Sequence, residues 1–350
     1  MIRKGLLAIG LLVAWNTQAQ DVSHYTPGAQ DEGVVYFLPK TKLEIKAKIV
    51  KVTYTPGELC QYANRYLRLQ GISAQSSEHW EIQSIEVNPI GVPDMEKAYS
   101  VKLKDKMVTS QVELTKDGII KAINTNYPKE ENVRKEAIAE KPKRIDPRNY
   151  MTEEILMAGS TNKMAELIAK EIYSIRESKN SLTRGQADYM PQDGAALKIM
   201  LNNLEEQEKA LTEMFSGITE RTEQTVNFYV EPTKEMTDVV IFRFSKKLGV
   251  VKENDLSGEP IYFSISNESS LPPADEEAKA KKKMDGVIYN IPGKGRVSID
   301  SFDKNYYEEE LPITQFGETE VLLNGLFSKK VNTRVIFSPV TGGIMKIDKD

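Results

Sequence analysis

The clearest pattern along the chain is an alternation of apolar and polar residues that begins at Leu43. Leu43, Ile45, Ala47 and Ile49 share one face, with charged residues between them, and after Ile49 the apolar residues move to the other parity. An alternation with period two predicts a β-strand with one buried face. The change of phase predicts a β-bulge, or a strand that passes from one core to another.

A helix is predicted directly after this strand, from Thr55 to Gly71. Thr55 is placed to cap the helix, Pro56 suits its first position, and Glu58 completes a capping box, while Gly71 provides a stop. The apolar residues of this segment fall on one helical stripe: Leu59, Tyr62, Ala63, Tyr66 and Leu67. The stripe predicts a short amphipathic helix that lies on a sheet.

Short apolar runs of strand length surround this helix. They cover residues 34–38, 79–87, 99–103 and 108–123, and the last is a hairpin that turns at Asp117-Gly118. Residues 124–151 are charged, contain three prolines and lack apolar periodicity, so they are predicted to form a linker.

Two helical stripes follow between residues 152 and 217. The stripes consist of Met164, Leu167, Ile168, Ile172 and Ile175, and of Leu197, Leu201, Leu204, Leu211 and Phe215. The second helix is predicted to start at Asp193-Gly194 and to end at Gly217. Glu208 interrupts its stripe, which favours packing against one neighbour. The connection is short, so the two helices are predicted to form an antiparallel αα-hairpin.

The rest of the chain returns to strand-length runs separated by Gly, Pro and Asn. The runs cover residues 222–230, 238–245, 260–266, 286–291, 296–300, 320–323 and 332–337, with a loop at 269–285. "PGKGR", at residues 292–296, is predicted to be a hairpin turn. Short strand-length runs separated by Gly, Pro and Asn are typical of antiparallel sandwiches and barrels.

Together these elements predict an α+β fold of mainly antiparallel β-structure, sandwich- or barrel-like, with a short N-terminal amphipathic helix and a long inserted αα-hairpin. The predicted division is a signal peptide (1–19), an N-terminal β-rich domain with one helix (20–123), a charged linker (124–151), the αα-hairpin (152–217) and a C-terminal antiparallel β domain (218–350).

The first residues predict export. Arg3 and Lys4 precede an apolar run at 5–14, and Thr17 and Ala19 occupy the small-residue positions of a cleavage site after Ala19. The run is too short to span a membrane, and no second run of eighteen apolar residues occurs, so no transmembrane segment is predicted. The expected location is the periplasm or the outer cell envelope.

Charge and residue types narrow the chemistry. Cleavage after Ala19 would move the formal net charge from −4 to −6, which argues against a nucleic-acid partner. Cys60 is the single cysteine, so it closes no intramolecular disulfide; it lies too far from the apolar run to be a lipid anchor, and we expect a small apolar side chain there. One cysteine and two histidines are too few for a zinc site, and neither a metal nor a cofactor is predicted.

The most unusual segment is the connection of the αα-hairpin and the residues next to it. Its polar residues are Arg176, Glu177, Arg184, Asp188 and Asp193. They form either a polar recognition tip on a rigid scaffold or a set of ion pairs and caps that fix the hairpin. In the second interpretation Asp193 caps a helix and Arg184 binds helix-end carbonyl groups.

Four segments carry a resemblance to a known family: residues 34–72 (VVYFLPKTKLEIKAKIVKVTYTPGELCQYANRYLRLQGI), 153–178, 184–217 and 333–348. With the N-terminal signal, they resemble uncharacterised exported proteins of Bacteroidetes-type Gram-negative bacteria that are known only as a domain of unknown function. The resemblance implies an envelope location, and it brings no activity, ligand or catalytic residue.

We therefore expect an exported cell-envelope binding or scaffold protein without catalytic activity, whose partner is an envelope protein or a glycan. The alternative is a carboxylate-based hydrolase that acts on glycans or peptides. A hydrolase requires carboxyl groups that converge in a concave site. A scaffold should instead show an exposed apolar patch or an unpaired strand edge.

Overall fold

The computed structural model describes residues 23–24, 34–101, 112–128, 145–191, 193–269, 286–327 and 333–349. The strands are β1 (Ser23–His24), β2 (Val34–Thr55), β3 (Ser77–Val101), β4 (Val112–Leu114), β5 (Ile120–Ile123), β6 (Ile218–Val230), β7 (Met236–Ser245), β8 (Gly249–Val251), β9 (Glu259–Asn267), β10 (Gly286–Asp300), β11 (Asn305–Leu323), β12 (Thr333–Phe337) and β13 (Ile344–Lys349). The helices are α1 (Ala63–Leu67), α2 (Glu153–Leu156), α3 (Thr161–Arg184) and α4 (Gly194–Ser216), with 3₁₀ turns at Cys60–Tyr62, Pro147–Tyr150 and Asn324–Phe327. The predicted signal peptide, residues 129–144 of the predicted linker and residues 270–285 of the predicted loop lie outside the described residues.

The strands form three antiparallel sheets, which confirms the predicted antiparallel β-structure. The first sheet has the order β1-β3-β2-β6, the second β11-β10-β9-β7-β8 and the third β13-β12-β5-β4. Strands from before and after the αα-hairpin share the first and third sheets, because β6 pairs with β2 and β12 pairs with β5. The independent folding of the predicted domains stays a prediction.

Two of the cores lie between sheets. The first and second sheets face each other across a core to which both contribute: Leu43, Ile45, Ala47, Ile85, Val87, Phe242, Ile261, Phe263, Ile265, Val297, Ile299 and Ile313. The rings of Phe228 and Phe242 stack across it with centroids 4.5 Å apart. Tyr36 and Leu38 of β2 extend into a second core, with Phe337 of the third sheet. This is a sandwich-like arrangement with a third sheet at one end.

The phase change in β2 coincides with a β-bulge. Lys48 faces Ser84 of β3 and Ile49 faces Ile82, so Gln83 is an extra residue in β3. Val50 and Val52 are buried on the opposite face of β2 from Ile45 and Ala47. The extra residue keeps Ile82 on the same face of the sheet as Ile85, against the same core, whereas β2 passes from one buried face to the other without an extra residue.

Buried polar side chains join the start of β2 to the C-terminal strands. The hydroxyl of Tyr36 donates to the carbonyl oxygen of Ile288 (3.1 Å) and accepts from its N–H (2.9 Å). Thr41 and Thr314 exchange hydrogen bonds between backbone N–H and side-chain hydroxyl (2.8 and 3.0 Å). The side-chain amide of Asn290 donates to the carbonyl oxygen of Pro39 (2.9 Å). These bonds satisfy backbone groups where strand pairing stops.

The predicted helix from Thr55 to Gly71 is wrong in its length and in the elements on which it packs. Thr55 still belongs to β2, α1 is a little over one turn long, and Arg68 ends it with φ of 56°. The N–H of Leu59 donates to the carbonyl oxygen of Met214 in α4 (2.8 Å), and this contact replaces the predicted cap. Leu59, Ala63 and Leu67 pack on α3 and α4 rather than on a sheet.

The predicted turn at residues 292–296 is also wrong. β10 continues through this segment, with only a shift in register between Ile291 and Gly293. A Cβ at Gly293 would lie 2.2 Å from the carbonyl oxygen of Phe316. Here glycine permits close approach of two strands, which the sequence pattern does not distinguish from a turn.

The second long helix of the αα-hairpin has the predicted ends, whereas the ends of the first are seen only in the structure. Ser160 caps α3, and Gly185 ends it with φ of 68°. The carboxylate of Asp193 accepts from the N–H of Ala196 (2.7 Å) at the start of α4, and Gly217 follows its last residue. Within the described ranges, no helix combines the length and apolar character needed to cross a membrane.

Candidate functional site

The candidate site is the distal half of the αα-hairpin, at the ends of α3 and α4 that meet the connection. Near its base, Ile168 and Ile172 of α3 and Leu211 and Phe215 of α4 are buried together. Toward the connection the burial declines, and Leu197, Leu201 and Leu204 of the predicted second stripe are only half-buried. The hairpin is thus anchored at its base and exposed toward its tip.

An ion-pair cluster joins the two helices midway along the hairpin. One carboxylate oxygen of Glu208 accepts from Arg176 Nε (2.6 Å), and the other accepts from Lys179 Nζ (3.0 Å). Burial acts to raise the pKa of Glu208, but the hydrogen bonds from Arg176 and Lys179 outweigh it and lower the pKa. Arg176 also lies over the ring of Tyr173. Glu208, which interrupts the apolar stripe of α4, therefore links α4 to α3.

A groove of about 600 Å³ opens beyond this cluster. Glu177 and Ser181 of α3, Asp188 and Tyr189 of the connection, and Asn203 of α4 are among the residues that line it. Its wall thus combines carboxylate, hydroxyl and amide groups with an aromatic ring. Such a set can donate and accept hydrogen bonds and can stack on a flat group.

Four of the five predicted site residues have one of two roles, in the groove or in holding the hairpin, and Arg184 has neither. Glu177 and Asp188 are brought to the same groove. Arg176 lies in the ion-pair cluster, and Asp193 is the cap of α4. Arg184 is the exposed last residue of α3 and is not among the residues that line the groove.

The exposed apolar side chains of the tip were not predicted as a group. Tyr189 is 89% exposed and Ile199 61%, and Met190 and Met200 are exposed to about two fifths (42% and 40%). Ile199 and Met200 lie outside the predicted stripe of α4. Ile199 falls on the polar side of the helical wheel, and that position is the sequence signal that would have revealed it, whereas Met200 lies at the border of the apolar stripe.

A second groove lies at the base of the hairpin. Its volume is about 490 Å³, and Pro56, Met214 and Ile218 give it a largely apolar wall, with Glu58 and Glu213 also present. A third, of about 420 Å³, lies between β10 and β13. In the described part of the chain, no cluster of three or more His, Cys, Asp or Glu side chains is suited to hold a metal ion.

Among the described residues, four carboxyl groups have a shifted pKa, and in each the shift favours the ionised form. The N–H of Tyr127 lowers the pKa of Glu113, Lys170 and Lys163 lower that of Glu166, and hydrogen bonds from Ser257 lower that of Asp255. Glu208 has a lowered pKa as well. A glycosidase-type general acid needs a raised pKa, so these four groups do not have the property that this role requires.

Comparison with known proteins gives one match. A family model described as "Domain of unknown function (DUF4831)" matches residues 32–345. No curated protein and no solved structure matches the chain significantly.

Proposed function

The chain belongs to the family described as Domain of unknown function (DUF4831), and from this premise we propose that it is an exported cell-envelope scaffold that binds a partner protein through the tip of its αα-hairpin. The observation that carries the proposal is the combination of exposed apolar side chains and a polar groove at that tip. The basic and apolar pattern of residues 1–19 supports the export part of the proposal.

The composition of the tip favours a protein partner. Tyrosine and methionine are enriched at the centres of protein interfaces, whereas acidic and small polar residues surround them. Tyr189 and Met190 lie in the connection, and Met200 is on the adjoining part of α4. These apolar side chains lie next to the polar groups of the groove, and protein interfaces have the same arrangement of an apolar centre and a polar rim. The ion-pair cluster and the buried base fix α3 and α4 against each other, which reduces the entropy that the two helices lose on binding.

A hydrolase is the second candidate, because Glu177 and Asp188 line one groove. Both side chains are exposed. A glycosidase-type general acid works from a desolvated position, and an exposed side chain stays in contact with water. Binding is therefore the better-supported function of the same groove.

The proposal is tested by photo-crosslinking in the native cells. A photoreactive amino acid is placed at Tyr189, and a matched control places it at Leu256, which is 82% exposed in the turn between β8 and β9. We expect one protein of the cell envelope to be crosslinked from position 189 and not from position 256. Equal patterns from the two positions would contradict the proposal.

Substitutions separate the two candidates. Tyr189→Ser combined with Met200→Ser should abolish the crosslink from a probe at Met190 and leave the thermal unfolding temperature nearly unchanged. Glu177→Gln combined with Asp188→Asn tests the hydrolase. Turnover of an envelope glycan or peptide by the wild type that this double variant loses would favour catalysis instead.

A further inference from the structure

The outer edge of β6 is a second surface of the molecule that is suited to bind a partner. β6 pairs with β2 over its whole length, and the register between them has no shift. Among the residues that the structure describes, no strand pairs with the other side of β6. Nine of its thirteen residues are exposed, including the whole stretch from Thr219 to Thr225. An edge of this kind is a ready template for another strand.

The other long edges carry features that block pairing. The outer side of β3 contains Pro89 and Pro93, and the N–H of Trp80 there donates to the carbonyl oxygen of Lys246 (2.8 Å). β11 contains Pro312 and Gly317. β6 contains neither proline nor glycine and has no bulge. Among the strands that the structure describes, β6 is thus the long edge that lacks these protective features.

We propose that two copies of this chain associate through antiparallel pairing of their β6 strands about a two-fold axis at Thr222. In an antiparallel ladder, every second residue directs its N–H and C=O to the same neighbour. The outward groups of β6 therefore belong to residues of one parity, and residues that face each other across the axis must share that parity. The axis must consequently pass through a residue and not between two.

The charges select which residue lies on the axis. With the axis at Thr222, Arg221 of each copy faces Glu223 of the other, which gives two opposite-charge pairs. The flanking pairs are also compatible types: Glu220 with Gln224, Thr219 with Thr225, and Ile218 with Val226. Cross-strand pairs of these kinds stabilise a sheet, whereas like charges directly opposite each other destabilise it.

The neighbouring registers are less favourable. An axis at Arg221 places two arginines face to face, and an axis at Glu223 places two glutamates face to face. An axis at Gln224 puts Glu220 opposite Phe228, whose ring stacks on Phe242 inside the sandwich. The register centred on Thr222 uses residues 218–226, and the stretch 219–225 within them is exposed throughout. Arg221 already donates to Glu81 of β3 (2.6 Å), and its guanidinium group has further donors for the second copy.

Disulfide crosslinking tests the register. Cys60 is replaced by alanine, and either Thr222→Cys or Gln224→Cys is introduced into the full mature chain. Residues on the axis are about 5 Å apart between their Cα atoms, within disulfide range, whereas the two copies of residue 224 are offset by about 13 Å along the strands. We expect copper–phenanthroline to give a crosslinked dimer for Thr222→Cys at least ten-fold faster than for Gln224→Cys. Equal rates, no dimer, or faster crosslinking at position 224 would overturn the proposal.

Charge reversal gives a second test. Arg221→Glu alone and Glu223→Arg alone each create two like-charge pairs in the dimer, so each should raise the dimer dissociation constant about ten-fold or more. A mixture of the two variants creates only opposite-charge pairs and should dimerise like the wild type in sedimentation experiments. Lys209→Glu, an equal charge change on an exposed residue of α4, is the control and should leave dimerisation unchanged. A mixture as weak as its components would contradict the register.

The outer edge of β6 is a different surface from the tip of the αα-hairpin. The Tyr189→Ser and Met200→Ser substitutions should leave self-association unchanged, and the β6 substitutions should leave the crosslink from position 189 in place. A failure of one proposal is therefore visible without a failure of the other.

Discussion

At the scale of single residues, the hydroxyl of Tyr36 takes the place of a strand neighbour. β10 pairs with β9 only from Gly295 onward, so the N–H and C=O of Ile288 are open on that side, and both bind this one hydroxyl. Tyr36 is completely buried, and burial raises its pKa. The side chain stays neutral and acts as donor and acceptor at once.

Tyr36→Phe should therefore lower the free energy of unfolding by about 1–3 kcal/mol, because it leaves two buried backbone groups without a partner. Urea unfolding followed by circular dichroism measures the loss. Tyr289→Phe is the matched control: its hydroxyl bonds the exposed Glu320, so we expect a smaller loss. Equal losses for the two variants would show that the buried bonds of Tyr36 add nothing.

The single cysteine is a second residue-scale case. Cys60 is half-buried at the start of the 3₁₀ turn, while the adjacent Leu59 is 1% exposed in the helical core. Cys60→Ala should change the free energy of unfolding by less than about 1 kcal/mol, and Leu59→Ala should lower it by about 2–5 kcal/mol. The same urea titrations check both values. Loss of the crosslink from position 189 in a folded Cys60→Ala protein would show that the thiol has a functional role.

At the scale of elements, the α3–α4 pair depends on the carboxylate of Glu208. Its pKa is lowered, so its contribution to stability is fully present above the unfolded value of about 4.3 and is lost as the pH falls through the folded value. Glu208→Gln should lower the free energy of unfolding by about 1 kcal/mol at pH 7 and by less at pH 3. Glu166→Gln, which loses ion pairs to Lys163 and Lys170 on one helix surface, should have the smaller effect at pH 7. A loss from Glu208→Gln that is the same at both pH values would contradict this role.

Local patterns predict these elements well where local interactions decide them. Asp193 and Gly217 bound α4 because a cap and a helix end depend on residues a few positions apart. Distant partners decided the failures: Met214 binds the N–H of Leu59, and Phe316 lies against Gly293. The groove has the same limit. Its polar residues stand out in the sequence, whereas Met200 and Tyr189 come to line one groove only once α3 and α4 are paired.

At the scale of the whole molecule, the sheets meet where the segment after residue 337 crosses the β2–β3 hairpin. A Cβ at Gly91 of β3 would lie 2.1 Å from the carbonyl oxygen of Pro339. Asn290 binds the same segment through Thr341, and its N–H donates to the carbonyl oxygen of Gly342 (3.2 Å). Backbone atoms therefore set the spacing of this junction, and they have little freedom to move apart.

Gly91→Ala should separate the junction and lower the free energy of unfolding by about 1–3 kcal/mol, because an added methyl group in a tightly packed contact forces the backbone to shift. Gly194→Ala is the control, since a Cβ there meets no atom within 4 Å at the start of α4. The control should unfold at the wild-type urea concentration or slightly above it, because alanine favours the helix. Equal urea midpoints for Gly91→Ala and Gly194→Ala would mean that the segment after residue 337 moves away from Gly91 at no cost in stability. The contacts of Asn290 and Thr41 would then have to hold the three sheets together without help from this close approach.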